Sequence, residues 1–289
     1  MRRAGAFFLF SIIAQLALAQ EGSDIYLFSF KLDADQFYLS NPKNITNTPG
    51  YDNQPYFMPD SQNILYSSDD GFGQTDIYRY SLQSQGERRL TFTPDSEYSP
   101  TLMPDQEHFS CVILEKDGNQ FLWRYPINGA VAAKVTNVNK IGYHYWLNEN
   151  NLGVFIVEEP TNSLSTIQLP ANSRKEVMKG PGRTLIGIPN TNEMSFIDIS
   201  DPKKWVIKSY NPSNGQVQDI INSIKGFQDF TWTPNGVLLS GDGHKLFKYD
   251  PKRDSNWVEL ADLRDYGLNK FSRMTISPNG SILALVVAE

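Results

Sequence analysis

Few residues of this chain carry reactive side chains in a spacing that specifies a reaction. The single cysteine lies in Phe109-Ser110-Cys111-Val112-Ile113-Leu114. An apolar strand without a nearby cation does not activate a thiol, so Cys111 is expected to be a buried, inert hydrophobe. The histidines, His108, His144 and His244, form no H-x-x-x-H pair. One Cys cannot build a thiolate zinc site, so no metal and no cofactor is expected. Asp69-Asp70-Gly71-Phe72-Gly73-Gln74-Thr75-Asp76 has the composition of a calcium loop. It lacks the D-x-D-x-D-G spacing and the twelfth-position Glu, and reads as a turn between strands. No G-x-S-x-G occurs.

Charge and composition narrow the class. The 289 residues hold 26 Lys and Arg against 32 Asp and Glu, a net charge of −6. A nucleic-acid protein normally shows a basic face, so none is expected as partner. Aromatics at 12%, with 20 Gly and 17 Pro, suit a β-rich fold with many tight turns. Met1-Arg2-Arg3, the apolar Phe7–Ala19 stretch and Ala17-Leu18-Ala19 form a signal peptide over residues 1–19. The stretch is shorter than the ~20 residues that span a bilayer. Gln20 follows, not Cys, so no lipid anchor is expected at the cleavage site. The mature protein is expected to be periplasmic or extracellular, with no membrane insertion after cleavage.

The remaining residues are organised by a repeat. Ile45-Thr46-Asn47-Thr48-Pro49 and Leu90-Thr91-Phe92-Thr93-Pro94 lie 45 residues apart. A Pro-Asp/Asn mark recurs at Pro59, Pro104, Asn148 (degenerate), Pro189, Pro234 and Pro278, in steps of 45, 44, 41, 45 and 44. Each period splits into four short β-branched or aromatic runs bounded by Gly, Pro, Asn and Asp. Four antiparallel strands per period form one propeller blade. Residues 20–289 hold six such periods, with blades two to six starting near Gln54, Ser99, Tyr143, Thr184 and Asp229. The C-terminus supplies only Arg273–Ile276 and Ser281–Val287, and the N-terminus only Ile25–Leu32 and Gln36–Thr46. Joined, the two ends complete one further blade, which brings the total to six and removes two open edges. The expected fold is therefore all-β: one six-bladed β-propeller closed by both chain ends. Helical periodicity is confined to Val258–Asp265.

Pro59-Asp60-Ser61-Gln62-Asn63-Ile64-Leu65-Tyr66-Ser67-Ser68, Thr75-Asp76-Ile77-Tyr78 and Arg89-Leu90-Thr91 resemble the WD-like repeat of the TolB-type propellers. Pro278-Asn279-Gly280-Ser281-Ile282-Leu283-Ala284 matches its opening again. The resemblance implies the fold and a place in the cell envelope. TolB itself carries a further N-terminal α/β domain, and here only a few residues separate the leader from the first strand. A Tol–Pal role is therefore not implied.

In a propeller the starts of the first strands converge on the axis. Here they carry Asp52, Asn53, Glu97, Tyr98, Tyr143, His144, Arg183, Asp229 and Arg273, the candidate binding residues. His144, between two tyrosines, suits packing better than base catalysis. Asp52 and Glu97, from adjacent blades, are expected to raise each other's pKa unless a cation such as Arg183 or Arg273 intervenes. The turns between second and third strands form an acidic rim. The expected function is a non-enzymatic binding or scaffold module, monomeric, for a protein or peptide partner with basic character. The alternative is a hydrolase or lyase on carbohydrate or peptide, using Asp52, Glu97, Asp229 and Arg273.

Overall fold

The structure is a computed structural model that describes residues 22–33, 36–69, 71–128 and 132–289. The expected leader, most of the Asp33-Ala34-Asp35 turn and Asp70 lie outside these residues.

Each sequence period folds into an antiparallel sheet whose strands run outward from the axis in sequence order. Blade I comprises Asp52–Phe57, Asn63–Asp69, Thr75–Ser81 and Gly86–Arg89. Blade II is Ser96–Leu102, His108–Leu114, Gln120–Pro126 and Ala133–Lys134. Blade III is Ile141–Asn148, Asn151–Ile156, Ser163–Gln168 and Ser173–Lys179. Blade IV is Pro181–Gly187, Met194–Asp198, Val206–Tyr210 and Val217–Asn222. Blade V is Phe230–Trp232, Leu238–Gly241, Lys245–Tyr249 and Val258–Asp262. In blade VI, Phe271–Ile276 and Ile282–Ala288 are followed outward by the N-terminal Ser23–Asp33, which also pairs Gln36–Leu39 and Lys43–Asn44. Pro42 cannot donate to the ladder and splits this outer strand.

The second strands are continuous apolar runs because both their faces are buried between neighbouring blades. Alternation sends Ile64 and Tyr66 toward blade VI and Leu65 toward blade II. Cys111 joins Leu65, Ile77 and Phe109 between blades I and II, whereas Val112 packs toward blade III. The fourth strands face solvent on the rim, and Ser173–Lys179 is largely exposed and charged. Two tryptophans tie blades together: Trp146 Nε1 donates to Ser110 Oγ at 2.9 Å, and Trp232 Nε1 to Ser195 Oγ at 2.9 Å.

Val258–Asp265 is not a helix. Val258–Asp262 pairs with Lys245–Tyr249, and only Leu263–Tyr266 coils, as a 3-10 turn capped by Asp262 and ended by Gly267 at φ 78°. A short apolar run fits either period, and here the free edge of the third strand decides in favour of a strand. The Asp69 turn behaves as turn chemistry requires, its Oδ1 accepting from Gly71 N at 2.6 Å and Gly73 N at 3.0 Å. Among the described residues, no helix is long and apolar enough to cross a membrane.

Ring closure rests on the register Ser23↔Ala288 through Ser29↔Ile282, extended by Phe30 N donating to Ser281 O at 2.8 Å. Cys111 has no exposed surface and burial pushes its thiol well above the ordinary value, so it reports on the fold. A thiol reagent is expected to label the intact protein slowly and the guanidinium-unfolded protein fast. Deleting residues 282–289 should make labelling fast in buffer too. Slow labelling of the truncated protein would show that the ring does not depend on its closing strand.

Candidate functional site

The nine candidate residues fall into two groups. Asp52 and Glu97 occupy equivalent places in their blades, but neither faces the axis. Each turns into the interface with the preceding blade, toward an aspartate of that blade's third strand. Thr91 Oγ1 donates to Glu97 Oε2 at 2.6 Å, Thr93 Oγ1 to Oε1 at 2.6 Å and Tyr125 OH to Oε1 at 3.2 Å. The same Thr91 hydroxyl accepts from Ile77 N at 2.8 Å and lies 3.5 Å from Asp76 Oδ1. Arg89 closes the group as an ion pair with Asp76. Between blades VI and I the pattern repeats. Thr46 Oγ1 donates to Asp24 Oδ1 at 3.0 Å and accepts from Ile25 N at 3.0 Å, and Thr48 Oγ1 donates to Asp52 Oδ2 at 3.1 Å. The Thr-x-Thr repeat of the sequence is thus an inter-blade clasp for a buried acid.

Burial pushes the Asp52 carboxyl up to about 6, against hydroxyl hydrogen bonds that lower it, with Asp24 adding repulsion. Burial and Asp76 push Glu97 up to about 7, and Asp76 is raised as well. Two close carboxyls in one dry interface cannot both ionise readily. The expected mutual repulsion of Asp52 and Glu97 is therefore replaced by pairing of each with its own aspartate. Asn53 is also structural, its Nδ2 donating to Ser23 Oγ at 3.2 Å.

Tyr143, Arg183, Asp229 and Arg273 do converge on the axis. Arg183 Nε lies 3.1 Å from both Asp229 oxygens, and its Nη2 also binds Oδ2. Arg183 Nη2 further donates to Ser272 O at 3.2 Å. Arg273 Nη2 donates to Tyr143 OH at 3.1 Å, and its guanidinium lies 5.3 Å from the centre of that ring. Its Nη1 is 3.9 Å from Asp229 Oδ1. Burial acts to remove the Arg273 charge, but Tyr143 and Asp229 outweigh it and hold the group above its ordinary value.

Beside this cluster Tyr98 meets Tyr51 edge-to-face at 6.3 Å. Burial pushes the Tyr51 phenol up to about 12 despite the nearby Arg273. Sequence reasoning missed Tyr51 because it precedes its strand, although a third tyrosine beside Tyr98 and Tyr143 was the available signal. His144 is packed away: its Nε2 lies 2.7 Å from Ser110 Oγ, and burial pulls its pKa down to about 3, leaving it neutral.

The cluster forms one end of an axial cavity of about 460 Å³. Its walls include Tyr56, Tyr145, Trp146, Leu185, Phe230 and Met274. Bulges in the first strands of blades I and II shape it, at Gln54 (φ 56°) and Ser99 (φ 55°), each followed by a proline that lines the space. Gln54 Oε1 bridges the two bulges by accepting from Ser99 N at 2.7 Å. The cavity runs to Pro59 and Gln106, exposed residues at the turns that end the first strands. Its lining thus extends away from the strand starts, where Tyr51 and Tyr98 sit. Among the described residues, no three His, Cys, Asp or Glu are placed to hold a metal ion.

No protein-family model matches this sequence, and no curated protein does. A solved structure assigned as TolB from Agrobacterium tumefaciens is similar to it, with a TM-score of 0.69 at 16% identity over 93% of this chain and 99% of that one. The fold is that of the TolB-type six-bladed propeller. TolB from Acinetobacter baumannii gives a TM-score of 0.60 at 13% identity, over 93% of this chain and 64% of that one. An oligogalacturonate lyase in complex with manganese gives 0.54 at 13% identity, over 94% and 99%. Identities this low carry the architecture and not the activity.

The clasp sets a pH dependence. A carboxyl whose folded pKa lies above its unfolded value stabilises the fold below the unfolded pKa and loses that contribution as pH rises through the folded one. For Glu97 this window runs from 4.5 to about 7. Melting temperatures across it should fall for wild type, and Glu97→Gln should remove on the order of 1–3 kcal/mol of that decline. An identical decline in the variant would contradict the protonated clasp.

Proposed function

We propose that this protein is an exported, non-enzymatic binding module that receives a segment of a protein or peptide partner in its axial pocket. The observation that carries this reading is the pocket itself: aromatic and proline-lined, about 460 Å³, polar at one end and reaching the surface at the other. Such a space recognises an apolar segment by burial and orients it by a few polar groups. Asp60, Asp105, Glu107 and Glu149 are exposed at the turns on the open side, which suits a partner with basic residues flanking the inserted segment. The leader read from residues 1–19 supports a periplasmic or extracellular setting, and the TolB-type fold is in keeping with the cell envelope.

The competing reading is a hydrolase or lyase sited in the channel. Of its four residues, Asp52 and Glu97 are held in clasps, Asp229 is occupied by Arg183, and Arg273 is a permanent cation. His144, with a pKa near 3, is too weak a base for proton abstraction near neutral pH. These placements favour binding over turnover.

The test is capture from envelope extract by residues 20–289 and by the variant Thr275→Trp, which fills the pocket with an indole. The wild type should retain a partner that the variant loses while its melting temperature stays within a few degrees. Equal capture would place the binding surface elsewhere. Cleavage of oligogalacturonate or peptide by the wild type would favour the enzyme.

A further inference from the structure

The strand-start end of the pocket is not electrically balanced. Two guanidiniums, Arg183 and Arg273, meet one carboxylate, Asp229. Arg183 engages both of that carboxylate's oxygens. Arg273 is left with the Tyr143 hydroxyl as its hydrogen-bond partner, and it meets Asp229 only as an ion pair at 3.9 Å, beyond hydrogen-bond reach. A guanidinium carries five N–H donors in a planar fork. The Arg273 side chain is 15% exposed and lines the cavity, and its other donors meet no acceptor among the described residues. Burial holds the Tyr51 phenol and the His144 ring neutral, so neither adds charge there. One positive charge is therefore in excess at this end of a largely apolar cavity, held by Tyr143 and by a longer contact with Asp229 that Arg183 already engages.

We infer that the pocket takes the carboxylate of a peptide, seated on the Arg273 fork, with the apolar body of that segment against Tyr56, Tyr145 and Trp146. This rests on the binding reading above and specifies the chemistry of the inserted segment. A carboxylate matches the fork with two oxygens and balances one excess charge. A dianionic phosphate would leave a negative charge uncompensated. The Arg183–Asp229 pair is a positioning element: it neutralises one arginine and leaves Arg273 as the anchor. The carboxylate belongs either to the C-terminus of a peptide or to an acidic side chain, and both supply the same group.

Three randomised tetrapeptide pools distinguish these cases on the immobilised protein. One has free C-termini and no acidic residues, the second is amidated and lacks acidic residues, and the third is amidated but contains Glu. The free-carboxylate or Glu-containing pool should be retained about tenfold more than the amidated acid-free pool, as expected for a charge-assisted hydrogen-bond pair. That preference should shrink at high salt. Arg273→Gln should bring the favoured pool down to the level of the acid-free pool, whose own retention stays unchanged. The pool that is favoured identifies the source of the carboxylate. Equal retention of all pools, or a preference that survives Arg273→Gln, overturns the carboxylate assignment while leaving the pocket a peptide site. Retention of none overturns both. Should Arg273→Gln fail to fold, displacement of bound peptide by phenylacetate and by phenylacetamide gives the same decision on wild type. Phenylacetate is expected to displace at about tenfold lower concentration, and equal displacement refutes the inference.

Discussion

The pairing of Ser23–Asp33 with Ile282–Ala288 is the interaction on which the rest of the molecule depends. Every second strand is buried on both faces only because the blade on each side is present. Opening the ring between blade VI's own strands would part Val286 from its neighbours in blade I and Phe28 from its neighbours in blade V. Closing so long a loop is entropically affordable, since closure entropy grows only slowly with length. Once closed, the ring fixes an axis on which six first strands must converge, and what fills that axis determines the site.

The interfaces between blades are held by two kinds of polar device set into apolar surroundings. The Thr-x-Thr clasps bury carboxyls at the boundaries of blade VI with I and of blade I with II. Between blades II and III the equivalent register positions hold Phe121 and Ile141, and the apolar exchange removes the need for a clasp. There the Trp146–Ser110 bond serves instead, and Trp232–Ser195 does the same between blades IV and V. The carboxyls of the clasps and the two indole N–H groups are tolerable in these interfaces because their partners are supplied, and each then fixes one registration of neighbouring sheets.

Period, blade number and ring closure were legible in the sequence because Pro, Gly, Asn and Asp mark turns through their own backbone chemistry. The burial of Cys111 was legible because its strand is apolar on both sides. The orientation of Asp52 and Glu97 was not legible. A carboxylate at the start of a first strand can turn to the axis or to the neighbouring blade, and the threonines that decide it lie in the preceding blade. The pocket's direction was hidden for a similar reason, since bulges at Gln54 and Ser99 need a positive φ that neither residue type advertises. Arg183, Asp229 and Arg273 sit one per blade, so only the fold reveals that one arginine consumes the carboxylate and the other does not.

The central claim is that the axial pocket is the binding site and Arg273 its anchor. A crystal structure of the protein soaked with phenylacetate tests it most directly. The account expects the carboxylate within hydrogen-bond distance of the Arg273 guanidinium and the ring against Trp146 or Tyr145, with the Arg183–Asp229 pair intact. Density at the acidic rim with an empty axis, or a carboxylate that displaces Asp229 from Arg183 while leaving Arg273 untouched, would contradict it.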